Sequence, residues 1–142
     1  MTRRSSAVVG AFLAWTIFVW GIVRVRNILG DDTLTGSERR GPLLLSATLW
    51  VPALILAVAV VAALVRHRPL AGWARVGVAL LGVWTTLVWL VRAVDIALVS
   101  DHELPFIVVH MVLALVSVAL AVLAARALRP APAGRTQEPV RT

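Results

Sequence analysis

The sequence predicts an all-α fold, a polytopic membrane four-helix bundle, and three observations predict it. The chain of 142 residues is 60% apolar and only 15% charged, with a mean hydropathy of +0.90. Four long uncharged runs alternate with short charged stretches, and the arginines are spread unevenly over those stretches. A soluble domain ordinarily runs about 45–50% apolar and about 25% charged. A chain this short still exposes roughly a third of its unfolded surface after folding, so apolar surface on this scale needs lipid as its solvent. The length argues for one domain.

Residues 5–23 form the first uncharged run and predict a transmembrane helix over 7–29, behind a cytoplasmic N-terminus at 1–6. Arg3 and Arg4 ahead of an apolar stretch suit the opening of a signal peptide. No small-x-small cleavage site follows, however, and the run ends in Trp20-Gly21-Ile22-Val23-Arg24, so it reads as a retained helix. An outer loop is expected at 30–42. The run 41–65 predicts the second helix, 43–65, in which Pro52 withdraws an N–H and crowds the Thr48 carbonyl, so a kink is expected there. After a cytoplasmic loop at 66–73, the run 76–91 and its apolar continuation predict the third helix, 74–98. A second outer loop, 99–104, leads to the fourth helix, 105–127, a run interrupted only by His110. Pro130, Pro132, Gly134 and Pro139 punctuate the remainder, so 128–142 is expected to be a disordered cytoplasmic tail. Crossing about 30 Å of hydrocarbon takes roughly 20 helical residues, and the runs lack the alternation of barrel strands.

Orientation follows from the arginines. With the N-terminus inside, Arg3, Arg4, Arg66, Arg68, Arg75, Arg126, Arg129, Arg135 and Arg141 lie on the inner side. Arg24, Arg26, Arg39, Arg40 and Arg92 lie outside or near the outer face. The excess predicts both termini in the cytoplasm. All 14 basic residues are arginine, and the net charge is +7. In a membrane chain these are anchoring cations, and nucleic acid is not an expected partner. The absence of cysteine excludes disulfides, thiolate nucleophiles and Cys-ligated metal.

The first and third helices share a phrase. Trp15-Thr16-x-x-Val19-Trp20 recurs as Trp84-Thr85-x-x-Val88-Trp89, and Arg24-x-x-Asn27-Ile28 as Arg92-x-x-Asp95-Ile96 with the offset changed by one residue. Two parallel helical-hairpin repeats, related by an axis along the membrane normal, are the expectation. The alternative is coincidence, because Trp near helix ends and Thr within helices are ordinary in membranes. Thr16, Trp20, Arg24 and Asn27 share one helical face, as do Thr85, Trp89, Arg92 and Ile96. Each helix thus presents a Trp–Arg ladder.

Arg24, Arg92 and His110 all lie about 24–27 Å above the inner ends of their helices, at 1.5 Å per residue. With Asn27 and Asp95 they form a candidate binding cluster at the outer face, where two arginines suit an anionic headgroup or a carboxylate. The plainer alternative has the arginines snorkelling, Arg92 paired to Asp95 and His110 bonded to a neighbouring helix. His110, Ala114, Ser117, Ala121 and Ala124 form a small-residue face suited to close helix packing.

Known chemistries fit poorly. Haem held between helices asks for two histidines at membrane depth, and only His110 is there. Ser117 lies two turns deeper than His110 with no acid beside it, so no hydrolytic triad forms. His-x-x-x-His spacing is missing, and Asp101-His102-Glu103 is a weak cation contact at best. Small four-helix drug/proton exchangers need an acid within the first helix, and residues 7–23 contain none. No catalytic residue, metal ligand or cofactor is expected.

The run Trp20-Gly21-Ile22-Val23-Arg24-Val25-Arg26-Asn27-Ile28-Leu29-Gly30-Asp31-Asp32, with Trp89-Leu90-Val91-Arg92 and Phe106-Ile107-Val108-Val109-His110, resembles uncharacterised small four-helix integral membrane proteins of high-GC Gram-positive bacteria. The resemblance covers most of the chain except the tail. It implies a bacterial plasma membrane and no particular activity. The leading expectation is a non-enzymatic accessory or interaction subunit, with the lipid bilayer and a larger membrane complex or homo-oligomer as partners. A small dimeric transporter or channel with an outer-face vestibule, and a membrane enzyme acting on lipid headgroups, are the alternatives.

Overall fold

The computed structural model describes residues 3–98 and 103–129 of the chain. Its elements are all helical: α1 (Arg3–Thr16), a π-helical segment (Ile17–Arg24), α2 (Val25–Leu29), α3 (Gly36–Val65), α4 (Gly72–Leu98) and α5 (Leu104–Ala127). The first three run on as one rod, the first helix. Four spans, Arg4–Leu29, Gly36–Val65, Gly72–Ile96 and Leu104–Ala127, are long and apolar enough to cross a membrane. Large apolar side chains such as Leu44, Val58, Leu80, Leu90 and Leu115 stand exposed along the outside. A soluble monomer rarely carries so continuous an apolar surface. The chain is a multi-pass membrane protein built as a four-helix bundle.

The helix boundaries depart from the expected ones chiefly at the start of α3. The loop expected over 30–42 is confined to 30–35, and the helix starts at Gly36 rather than 43. The cause is local. Thr35 begins a capping box in which the Glu38 carboxylate accepts the Thr35 N–H at 2.8 Å and its hydroxyl at 2.6 Å. Asp31 closes the loop by accepting the Thr33 N–H at 3.0 Å, while Arg39 donates to the Asp31 carbonyl at 2.6 Å. The helix then runs on through Pro42 and Pro52. At its C-terminal end α3 stops in a Schellman turn. His67 takes φ 50°, its N–H bonds the Leu64 carbonyl at 3.1 Å, and the Arg68 N–H bonds the Ala63 carbonyl at 2.9 Å. Most of the expected second outer loop and most of the expected tail lie outside the described residues.

The four helices form a ring. The first helix packs between α3 and α5, and so does α4, which places those two on a diagonal. They meet at the centre through Trp20 and Trp89, whose rings cross edge to face at 5.6 Å and 61°. The core is a seam of Val9, Phe12, Leu13, Leu49, Ala53, Leu56, Val78, Leu81, Ala121 and Ala124. The small-residue face of α5 is used for close approach: a Cβ built on Gly82 would lie only 3.6 Å from that of Ala121.

Burial follows the internal phrase. Val9 and Val78, Phe12 and Leu81, Thr16 and Thr85, Val19 and Val88, and Trp20 and Trp89 are buried in pairs at a constant offset of 69 residues. The offset extends into the second helix of each half. Trp15 donates its indole N–H to the Ser117 hydroxyl at 2.9 Å, and Trp84 donates to the Thr48 hydroxyl at 3.0 Å. Thr48 and Ser117 are also 69 residues apart. Each half thus gives one bond to the other and receives one.

Candidate functional site

Beyond Trp20 and Trp89 the offset falls to 68: Arg24 matches Arg92, Asn27 matches Asp95, and buried Ile28 matches buried Ile96. The π segment accounts for the extra residue. A single π turn absorbs an insertion that would otherwise rotate everything downstream by a residue's worth of helix. Trp20 and Arg24 are four residues apart, Trp89 and Arg92 three, yet both arginines reach the same cleft. The seam is braced from α3, where the fully buried Ser46 hydroxyl donates to the Trp20 carbonyl at 2.7 Å. Leu115, at the position 69 residues after Ser46, is exposed and makes no such bond possible. Gly21 leaves room for Trp50, whose Cβ would lie 3.2 Å from an added methyl.

The cleft has a volume of about 170 Å³ and is lined by residues of three helices. Arg24 and Asn27 come from the first helix, Arg92 from α4 and His110 from α5; Trp20 and Trp89 are also in its wall. Val19, Val23, Val109 and Leu113 complete the lining. Four of the five sequence-predicted residues therefore converge on one hollow. Asp95 is not among the lining residues, and no carboxylate is.

Each polar group has an identifiable state. The His110 ring stacks on Phe106 at 3.9 Å between centroids, and its Nδ1 lies 2.9 Å from the Phe106 carbonyl. A carbonyl can only accept, so Nδ1 carries the proton and Nε2 is left for another contact. The bond is to its own helix, not to a neighbouring one as the plainer sequence reading had it. Arg24 and Arg92 are half-buried, and two like charges sharing one hollow repel more strongly there than in bulk water. The indole N–H groups of Trp20 and Trp89 are buried and lack a hydrogen-bond partner among the described residues. A buried donor left unpaired costs about 1–3 kcal/mol. Both belong to residues that also line the cleft, beside two guanidinium groups.

Sequence reasoning placed both tryptophans on the arginine faces but did not single out their N–H groups. Nor did it find Ser46 or the π segment. The change of offset from 69 to 68 was the available signal for the latter. Larger hollows lie elsewhere among the described residues. One, of about 410 Å³, is beside Ser6, His67, Arg68 and Leu70; another, about 390 Å³, is an apolar groove between α3 and α4 near Pro52, Trp73 and Trp84; one of about 230 Å³ lies between α4 and α5 at Gly82 and Ala121, and one of about 440 Å³ on α3 alone near Val61 and Arg66. None gathers polar groups from three helices. Ser117, raised as a nucleophile and set aside, is occupied structurally: it receives the Trp15 N–H and donates to the Leu113 carbonyl at 2.7 Å.

No protein-family model matches the chain, and no curated protein and no solved structure matches it either.

Proposed function

We propose that this protein is a non-enzymatic accessory or interaction subunit of a bacterial plasma membrane, with both termini cytoplasmic, that holds an anionic group at its outer face. One observation carries the reading. The polar lining of the outer cleft consists of Arg24, Arg92, Asn27, His110 and the two indoles, and includes no carboxylate or hydroxyl side chain. Such a lining binds an anion through charge-assisted hydrogen bonds. It provides no hydroxyl, thiol or carboxylate nucleophile to turn the anion over. The polar row that a transport path would follow, Thr16, Thr85 and Ser117, is buried, and Thr16 and Ser117 spend their hydroxyls on Phe12 and Leu113 carbonyls.

Purification from native membranes, with identification of the proteins and lipids that travel with the chain, tests this. A stoichiometric complex or oligomer is expected. Recovery of an isolated monomer from gently solubilised membranes overturns the subunit reading. Reporter tags on the two termini are expected on the same, cytoplasmic side.

A further inference from the structure

The cleft presents more than a carboxylate can use. We infer that its ligand is a tetrahedral phosphate-class oxyanion, borne on a lipid headgroup or free in solution. The inference rests on the anion-holding role proposed above and specifies its chemistry.

The geometry of supply is the argument. A carboxylate offers two oxygens in one plane, a pattern met in full by a single guanidinium fork. Here the two forks come from diagonally opposed helices, Arg24 on the first and Arg92 on α4, and His110 enters from α5. Guanidinium forks arriving from two diagonally opposed helices call for an acceptor with oxygens pointing in several directions, which a phosphate group has. The shape of the hollow agrees: its apolar walls, Val19, Val23, Val109 and Leu113, suit the ester side of a phosphate.

The π segment acquires a role in this scheme. It restores the facing of Arg24 toward Arg92 despite one extra residue, so the two halves grip the anion as a pair although their sequences have slipped.

The test uses the full chain in phosphate-free detergent micelles, with ³¹P NMR line broadening and thermal unfolding as readouts. Inorganic phosphate is one probe, phosphatidylglycerol in mixed micelles another, and acetate the planar comparison. Broadening and a raised unfolding temperature are expected with phosphate, with phosphatidylglycerol or with both, at concentrations at least tenfold below those at which acetate acts. Saturation by inorganic phosphate assigns a soluble ligand; saturation by the phospholipid alone assigns a lipid. Arg24→Gln and Arg92→Gln are expected to weaken binding tenfold or more. Arg26→Gln, outside the cleft, should leave it unchanged. Arg24→Lys keeps the charge without the fork, and is expected to bind more tightly than Arg24→Gln if the fold is intact. Acetate binding as well as phosphate overturns the tetrahedral assignment while leaving anion recognition standing. Binding of none of the three probes, or binding indifferent to both arginine substitutions, overturns both.

Discussion

Replacing Ser46 with alanine removes one hydroxyl, and its cost measures what the π segment needs from its neighbour. Ser46 is fully buried and donates to the Trp20 carbonyl at 2.7 Å. The net worth of an intramolecular hydrogen bond is about 0.5–1.5 kcal/mol, and leaving a buried acceptor short of its partner costs about 1–3 kcal/mol. Within membranes the mean is nearer to about 0.6 kcal/mol, because the reference state also finds partners. Ser46→Ala is therefore expected to cost about 1 kcal/mol. Deleting Ile22, an exposed residue of the π segment, shortens Trp20–Arg24 to the three-residue spacing of Trp89–Arg92 and lets an ordinary α-helix form. In that background the Trp20 carbonyl regains a regular ladder, and Ser46→Ala should cost less than about 0.5 kcal/mol. The assay is a double-mutant cycle on unfolding free energies in detergent, read by far-ultraviolet circular dichroism. An equal cost in both backgrounds refutes the idea that Ser46 serves the π segment. So does a deletion variant that fails to fold, since the deletion is argued to restore a register rather than destroy one.

Other expectations follow from the same geometry. Gly82→Ala adds a Cβ at ordinary contact distance, 3.6 Å, from Ala121, so it should stabilise the bundle by about 0.5–1 kcal/mol through helix propensity; a loss in thermal scans contradicts the described packing. His67→Gly relieves the left-handed residue of the Schellman turn and is expected to stabilise by up to about 1 kcal/mol, measured the same way. Thr35→Ala breaks the capping box and should cost about 1 kcal/mol, with faster amide exchange confined to the start of α3. The Asp31 carboxyl is held below the usual carboxylate range, first by the Thr33 hydroxyl, then by the Thr33 N–H and the charge of Arg39. A depressed folded value means that the loop is favoured above the ordinary carboxylate range and loses that support as pH falls through the folded value. NMR titration should find the Asp31 midpoint below that of a free aspartate, and Thr33→Val should move it upward.

How far the molecule could be read in advance differs from part to part for physical reasons. The spans were legible because hydrocarbon allows few charges, so the long uncharged runs between arginines stand out in plain text. The start of α3 was misjudged because Arg39 and Arg40 look like loop residues, although Thr35-x-x-Glu38 was a visible capping signal. Arg24, Asn27, Arg92 and His110 could be matched in depth by counting rise per residue, since helices in a bilayer share a common frame. Asp95, one turn above Arg92, belongs to the same level but not to the same wall. The unpaired tryptophan N–H groups could not be read at all, because whether a donor is satisfied depends on neighbours hundreds of atoms away along the chain. Ser46 escaped for the same reason.

The reciprocal bonds of Trp15 to Ser117 and Trp84 to Thr48 have a consequence for assembly. Neither lies within a hairpin; each is complete only when both hairpins are side by side. The contact is self-complementary in the manner of a two-fold dimer interface. A gene cut between α3 and α4 should therefore yield two fragments that find each other in the membrane, and a single ancestral hairpin could have closed the same ring with a twin of itself.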